Sequence, residues 1–207
     1  MVYNNFILRL LFSIIFISIY LTFSYINFQY VFYLIFLIYL IIFFEIFFYF
    51  KKFKLFPIIY ILISFIFFLN IDFSNNIFLH FNLFILVVVS LDIFSYIFGI
   101  KFGKTKLTHI SPNKTYEGLV GGALTSFILG LLFSYYLDIN INTELIIFIL
   151  FVILNSFIGD IIESFFKRKN NLKNSSEFIP GHGGVFDRFD SFLFSIMYYS
   201  ITINLLT

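Results

Sequence analysis

Residues 144–166 read ELIIFILFVILNSFIGDIIESFF, an apolar run of the length, about 20 residues, that an α-helix needs to cross a bilayer. Polar side chains toward the end of this run recur at helical spacing and share one helix face: Ser156, Asp160, Glu163, Ser164, Lys167 and Arg168. An exposed ladder of ion pairs would not explain carboxylates inside an apolar run, because charge is costly there. We therefore predict a functional site at this end of the helix.

The whole chain has the composition of a membrane protein. Its 207 residues are 61% hydrophobic and 12% charged, whereas a soluble domain carries about 25% charged residues. Seven stretches reach or approach the length of a membrane span: 6–26, 30–50, 55–71, 78–99, 118–137, 144–166 and 191–206. The first has no small-residue cleavage site after its apolar part, so we interpret it as a retained span. The sequence predicts an all-α, polytopic integral membrane protein with about seven transmembrane helices.

Basic residues are confined to one side of this predicted topology. The N-terminus and the loops near 51–54, 100–117 and 167–190 contain all 13 Lys and Arg residues. The opposite side has Asp72, Asp138 and Glu144 but no basic residue. By the positive-inside rule, the basic side and the N-terminus are predicted to be cytoplasmic, and the C-terminus to be outside. Cysteine is absent, which excludes disulfides and thiolate metal sites.

The predicted chemistry is unevenly divided along the chain. Residues 1–75 are interpreted as N-terminal transmembrane helices, and residues 76–207 as a catalytic membrane domain with cytoplasmic loops 100–117 and 167–190. Within the first part, Glu45 is the one acid inside a predicted span, and such acids are often functional. Its proximity to Lys51 favours a side chain that snorkels to the membrane boundary over a functional acid.

Asp92 lies well inside the fourth predicted span. Together with Ser95, Tyr96 and Gly99 it forms a polar stripe on one face of an apolar helix. An intramembrane aspartate is either a functional group or a buried acid that is hydrogen-bonded to a neighbouring helix. The sequence leaves both interpretations open.

Two loops contain the residue types that phosphate binding requires. Loop 100–117 has four lysines together with Ser111 and Thr115, although it lacks the spacing of a P-loop. Residues 180–190 read PGHGGVFDRFD, in which glycines allow backbone N–H groups to approach a phosphate closely. The aspartates of this run suit magnesium and its arginine suits phosphate. The alternatives are a basic lipid-facing loop for the first segment and a polar boundary turn with solvated charges for the second.

A long and specific pattern joins residues 110–118 (ISPNKTYEG), residues 159–164 (GDIIES) and the run from 164 to 190 that ends in the glycine-rich segment. This pattern resembles the phosphatidate cytidylyltransferases, or CDP-diacylglycerol synthases, over about residues 90–191. The resemblance implies a multi-span nucleotidyltransferase of phospholipid biosynthesis. Such an enzyme makes CDP-diacylglycerol and pyrophosphate from CTP and phosphatidate.

The resemblance also implies roles for individual residues. Asp160 and Asp187 would bind magnesium (Mg2+). Asp190 and Glu163 would be either additional ligands or groups that orient the ligands, and a second cation is an open alternative. The triphosphate and the leaving pyrophosphate would be held by Lys167, Arg168, Lys173 and Arg188. The turn that would bind phosphate consists of Gly181, His182, Gly183 and Gly184. Further substrate contacts would come from Ser111, Lys114, Ser164 and Asp92.

The implied substrates are CTP from the cytosol and phosphatidate from the bilayer, and no nucleic acid partner is expected. The resemblance implies a homodimer in the cell (inner) membrane, with its active site on the cytoplasmic side. Two alternatives remain open. One is a CTP-dependent enzyme acting on an isoprenoid lipid, such as a CDP-archaeol synthase or a polyprenol kinase. The other is a transporter in which Asp92 and Asp160 form a cation pathway.

Overall fold

The computed structural model describes residues 15, 17–73, 77–108, 111, 114–178 and 183–206. The helices in this part of the chain are α1 (Ile17–Ile26), α2 (Gln29–Tyr49), α3 (Leu55–Leu69), α4 (Phe78–Phe102), α5 (Tyr116–Tyr136), α6 (Thr143–Lys169) and α7 (Phe186–Leu206). The predicted all-α fold class is confirmed.

The helices match the predicted spans closely. Among the described residues, α2, α4, α5 and α6 are long and apolar enough to cross a membrane, while α1 and α3 are shorter apolar helices. Helices α2 to α6 begin and end within three residues of the corresponding predicted spans. The predicted polytopic membrane architecture is therefore confirmed. Most of the first predicted span, 6–26, lies outside the described residues.

The connections at one end of the bundle are shorter than predicted. Helix α7 begins at Phe186, five residues before the predicted span at 191, and α6 continues to Lys169. The loop predicted at 167–190 is therefore reduced to residues 170–185. Likewise, α4 continues to Phe102, so that the loop predicted at 100–117 covers residues 103–115. Helix α7 extends through its charged first turn because its acids face other polar groups of the protein, as described below.

Small residues bring α5 into close contact with α4. One row of buried residues runs along α5 at every fourth position: Gly118, Gly122, Ser126, Gly130 and Ser134. A Cβ on Gly118 would lie 2.7 Å from the backbone oxygen of Ser95 on α4, and a Cβ on Gly122 would collide with the Ser95 hydroxyl. Such small-residue rows allow membrane helices to pack backbone against backbone. The close contact of α5 with α4 is thus fixed at Gly118 and Gly122, near the start of α5.

Helices α6 and α7 meet closely at the level of the acidic residues. Gly159 of α6 is buried, and a Cβ on it would lie 2.5 Å from the backbone oxygen of Asp190 on α7. A larger residue at 159 would therefore push the two helices apart. This close approach brings the polar faces of α6 and α7 together.

The N-terminal helices pack directly on α7. The hydroxyl of Ser64 on α3 donates to the backbone oxygen of Leu193 at 2.6 Å, and the Tyr39 hydroxyl of α2 lies 2.6 Å from the same serine oxygen. All these polar atoms are buried. The predicted division between residues 1–75 and 76–207 falls at a segment, 74–76, outside the described residues. The division itself stays a prediction.

Candidate active site

Acidic and basic side chains from two helices face one another where α6 ends and α7 begins. On α6, Asp160, Glu163 and Lys167 follow one another at intervals of three and four residues, which places them on one face. On α7, Asp187 and Asp190 are one turn apart. The predicted polar face of the sixth span is thus paired with a second polar face.

The first of two acidic pairs consists of Asp160 and Asp190. Their carboxyl groups face each other between α6 and α7, and Ser191 donates its N–H to Asp190 Oδ1 at 2.9 Å. Lys114, from the α4–α5 connection, forms an ion pair with Asp160 Oδ2. Two neighbouring carboxylates repel each other unless a positive charge compensates them. A lysine or a bound cation can supply that charge.

The second acidic pair consists of Glu163 and Asp187, with Lys167 between them. The Lys167 ammonium lies 2.6 Å from Glu163 Oε2 and 2.7 Å from Asp187 Oδ1. The Glu163 side chain is completely buried, and those of Asp187 and Lys167 are 9% and 13% exposed. An ion pair this deeply buried depends on each of its members, because any one left alone would be an uncompensated charge.

Asp187 also organises the glycine-rich turn. Its Oδ2 accepts the N–H groups of Ser175 at 2.9 Å and of Gly184 at 2.8 Å. Gly183 has a φ of +86°, and a Cβ on it would lie 2.5 Å from the same Asp187 oxygen. The turn therefore requires glycine at 183. The Gly184 N–H, predicted to bind phosphate, donates to Asp187 in this conformation, and Gly181 and His182 lie outside the described residues.

A compact hairpin between α4 and α5 carries Lys114. Its two sides are joined by the bridge between Lys106 and Thr115, and by the N–H of Leu107, which donates to the backbone oxygen of Lys114 at 2.8 Å. Thr115 caps α5, because its Oγ1 accepts the Gly118 N–H at 3.1 Å. Burial alone would lower the pKa of Lys114, but the carboxylates of Asp160 and Asp190 outweigh burial and raise it. Lys114 is therefore held as a cation beside the first acidic pair.

Asp92 joins the site from α4. The Ser191 hydroxyl donates to Asp92 Oδ1 at 2.9 Å, one residue after Asp190. The hydrogen bond to a neighbouring helix, one of the two possibilities raised by the sequence, is therefore present. A functional role of Asp92 stays a prediction. Ser111 was also predicted to contact the substrate, and the structure shows one of its contacts. Its N–H donates to Thr108 Oγ1 at 3.1 Å, within its own loop.

The acids of the site are of a type that can bind a metal ion. Among the described residues, no group of three or more Asp, Glu or His side chains converges to hold a metal ion. However, Mg2+ commonly takes one or two protein carboxylates together with substrate phosphates and water. Each acidic pair supplies two hard oxygen donors, and the acids outnumber the lysines that neutralise them. The donor set therefore fits a divalent cation that is shared with a phosphate ligand.

Comparison with known protein families shows which family has this sequence. The sequence model of the cytidylyltransferase family matches residues 6–206. The chain belongs to the cytidylyltransferase family. The match includes the acidic pairs, the Lys114 hairpin and the N-terminal helices, so the family resemblance inferred from the sequence is confirmed and extends over more of the chain than was inferred.

Relatives in this cytidylyltransferase family are bacterial proteins named phosphatidate cytidylyltransferase. The protein of Staphylococcus saprophyticus is 49% identical over 120 residues, which make up 56% of this chain and 46% of the relative. That of Staphylococcus aureus strain COL is 41% identical over 138 residues, or 65% of this chain and 52% of the relative. The chain spans about half the length of these relatives.

Some basic residues predicted for this cytidylyltransferase site lie at its periphery. Arg168 is exposed, and its Nη1 donates to the backbone oxygen of Leu172 at 3.0 Å. Lys173 and Arg188 are also exposed, whereas Ser164 is buried on α6. The structure thus brings Lys114 and Lys167 into ion pairs with the acids, while Arg168, Lys173 and Arg188 are exposed.

One residue that sequence reasoning assigned differently belongs to the site. Glu45 of α2 is 5% exposed, and its Oε2 accepts the N–H groups of Val185 at 2.8 Å and Phe186 at 3.2 Å. The interpretation of Glu45 as a side chain that snorkels to the membrane boundary is therefore wrong, because the glycine-rich turn supplies its partners. The signal that could have identified it was its position, as an acid inside an apolar span.

Proposed function

We propose that this member of the cytidylyltransferase family is a phosphatidate cytidylyltransferase, which joins CTP to phosphatidate and releases pyrophosphate. The observation that carries the proposal is the meeting of α6 and α7, where one lysine from a loop and one from a helix form ion pairs with two acidic pairs. The names of the relatives support the same reaction.

The proposed reaction needs charge compensation more than it needs a strong base. The phosphate oxygen of phosphatidate is already anionic near neutral pH, and it attacks the α-phosphorus of CTP, a polyanion. Cations are therefore required to lower the repulsion and to stabilise the pyrophosphate that leaves. Lys114 and Lys167 are suited to this role because they are held in place by Asp160 and by Glu163 and Asp187. Arg188, Arg168 and Lys173 would supply positive charge from the surrounding surface.

We also propose that the site takes Mg2+. Asp160 and Asp187 would be the principal ligands, with Asp190 and Glu163 as additional ones and room for a second cation. When bound, the ion would neutralise charge on the phosphates of CTP and of the leaving pyrophosphate. Asp160 is fixed by Lys114, and Asp187 is fixed by two backbone N–H groups. Carboxylates held in this way would determine where the phosphates are bound.

The remaining partners are proposed from the same reaction. CTP would reach the site from the cytoplasm and phosphatidate from the bilayer of the cell membrane. The site would then lie at the cytoplasmic boundary, where both substrates can meet. A homodimer is proposed by analogy with the family.

A direct assay tests the proposed function. The purified chain in phosphatidate-containing nanodiscs, with CTP and magnesium, is expected to form CDP-diacylglycerol and pyrophosphate. The Asp160→Ala chain serves as the inactive control. Parallel reactions with a prenyl-chain glycerophosphate and with a polyprenol address the isoprenoid alternative. CTP turnover with either of these lipids, but not with phosphatidate, would contradict the proposal.

Cysteine labelling tests the proposed orientation. Single cysteines can replace Lys106, Glu177 and Asn140, which are exposed in the α4–α5, α6–α7 and α5–α6 connections of this cysteine-free chain. We expect a membrane-impermeant reagent to label the first two only from the cytoplasmic side and the third only from the opposite side. Labelling of positions 140 and 177 from the same side would refute the topology.

A further inference from the structure

Glu45 occupies a place in the site that the proposed reaction does not use directly. It comes from α2, about 140 positions before the residues that it contacts, and it lies buried beside the first turn of α7. We infer that Glu45 is a positioning residue, which fixes the start of α7 and thereby holds Asp187 at its place between Lys167 and the glycine-rich turn. This inference deepens the proposed function and rests on it for its effect on turnover.

Three consecutive backbone N–H groups at the start of α7 donate to two carboxylates, those of Asp187 and Glu45. The Gly184 N–H donates to Asp187, and the next two, of Val185 and Phe186, donate to Glu45 Oε2. The first N–H groups of a helix lack partners within the helix, and a negative charge there is favourable. Glu45 therefore supplies from another helix the cap that the start of α7 needs. The residue that follows these two is Asp187 itself.

Gly184 is matched to Glu45. A Cβ at position 184 would fall on Glu45 Oε1 and on the Ser175 hydroxyl. Any side chain at 184 would thus displace the Glu45 carboxylate or the turn. The Glu45 carboxylate therefore reaches the start of α7 only because residue 184 has no side chain, so the effects of changing the two residues should depend on each other.

The α2–α7 contact also has an apolar part. The rings of Phe50 and Phe186 lie 6.1 Å apart, and both side chains are buried. This ring contact, made by the residue directly after α2, would remain without the carboxylate. The removal of Glu45 is therefore expected to loosen the turn and not to detach the helix.

Hydrogen exchange measures this positioning without reference to activity. We expect Glu45→Ala to accelerate exchange of the Val185 and Phe186 amides by about tenfold or more, since each loses a hydrogen bond to a charged group. Glu45→Gln keeps an acceptor oxygen and should retain part of the protection. The matched control is Ser64→Ala, which removes a different buried hydrogen bond between the N-terminal helices and α7. Unchanged exchange at these two amides in Glu45→Ala would overturn the inference.

Turnover measurements then test whether the cap that Glu45 provides affects the reaction through the position of Asp187. Glu45→Ala should lower kcat, with Glu45→Gln intermediate, whereas Ser64→Ala should reduce thermal stability without a comparable fall in kcat. Gly184→Ala should be impaired, and the Glu45→Ala/Gly184→Ala double variant should be no worse than the poorer single variant. Losses that multiply in the double variant would show that the two residues act separately. If the unaltered chain shows no CTP-dependent turnover with phosphatidate, the proposed function fails, and the amide exchange alone decides the role of Glu45.

Discussion

Replacing Asp160 or Asp187 with alanine is expected to lower turnover by several orders of magnitude. Asp160 holds Lys114 and faces Asp190, while Asp187 holds Lys167 and the glycine-rich turn. If both aspartates bind the same metal centre, either substitution already disables it, because a hard cation held by few carboxylates needs each of them. The double variant should then be little worse than either single variant. The measurement is CTP turnover by membrane-inserted protein of verified fold.

Magnesium titration provides the control for this expectation. Asp160→Asn weakens a proposed metal ligand but keeps its shape, so raised magnesium should partly restore its turnover. Arg188→Ala should respond less, since the partner proposed for the arginine is phosphate. The two aspartates belong to different ion pairs in the structure, so the double variant also shows whether the pairs act together. Losses that multiply would mean independent pairs and would remove the shared-metal assignment.

Lys167→Met is expected to cause the largest loss of stability among single substitutions in the site. It would leave Glu163 and Asp187 as buried carboxyl groups without their shared cation. Breaking a buried ion pair by removing one partner typically costs about 3–5 kcal/mol. We expect a clearly lower thermal unfolding midpoint in the same detergent, together with loss of turnover.

A compensating substitution separates stability from activity at this position. In the Lys167→Met background, Glu163→Gln removes one uncompensated charge and should recover part of the stability. Turnover should stay low, because the cation proposed to hold phosphate remains absent. Lys169→Met is the matched control, since Lys169 is exposed two residues further along α6. A loss of stability in this control as large as that of Lys167→Met would contradict the assignment to the buried ion pair.

Hydropathy predicted the helices well because membrane spans are long and their apolar character is local in sequence. It failed at the start of α7, because the charged residues Asp187 and Asp190 placed the beginning of the predicted span at residue 191. These acids face α6, so the local sequence could not reveal that they are accommodated within a helix. The same reason explains why the connection between α6 and α7 is shorter than predicted.

Local spacing likewise revealed only part of the site. The face formed by Asp160, Glu163 and Lys167 follows from helical periodicity, and the glycine-rich run was recognised from composition. Glu45 could not be assigned in this way, because its partners lie far along the chain and depend on how α2 packs against α7. The pairing of Asp160 with Asp190 similarly depends on the close approach that Gly159 permits.

The row of small residues on α5 has a counterpart on the opposite face. Large exposed side chains also recur there at every fourth position: Tyr116, Val120, Leu124, Ile128, Leu132 and Tyr136. The two faces of α5 should therefore differ in how well they tolerate substitutions. Apolar residues can replace one another in the exposed row at little cost. An added carbon atom at Gly118 or Gly122 would displace α5 and the hairpin that presents Lys114, so a single codon far from the acids could change the chemistry.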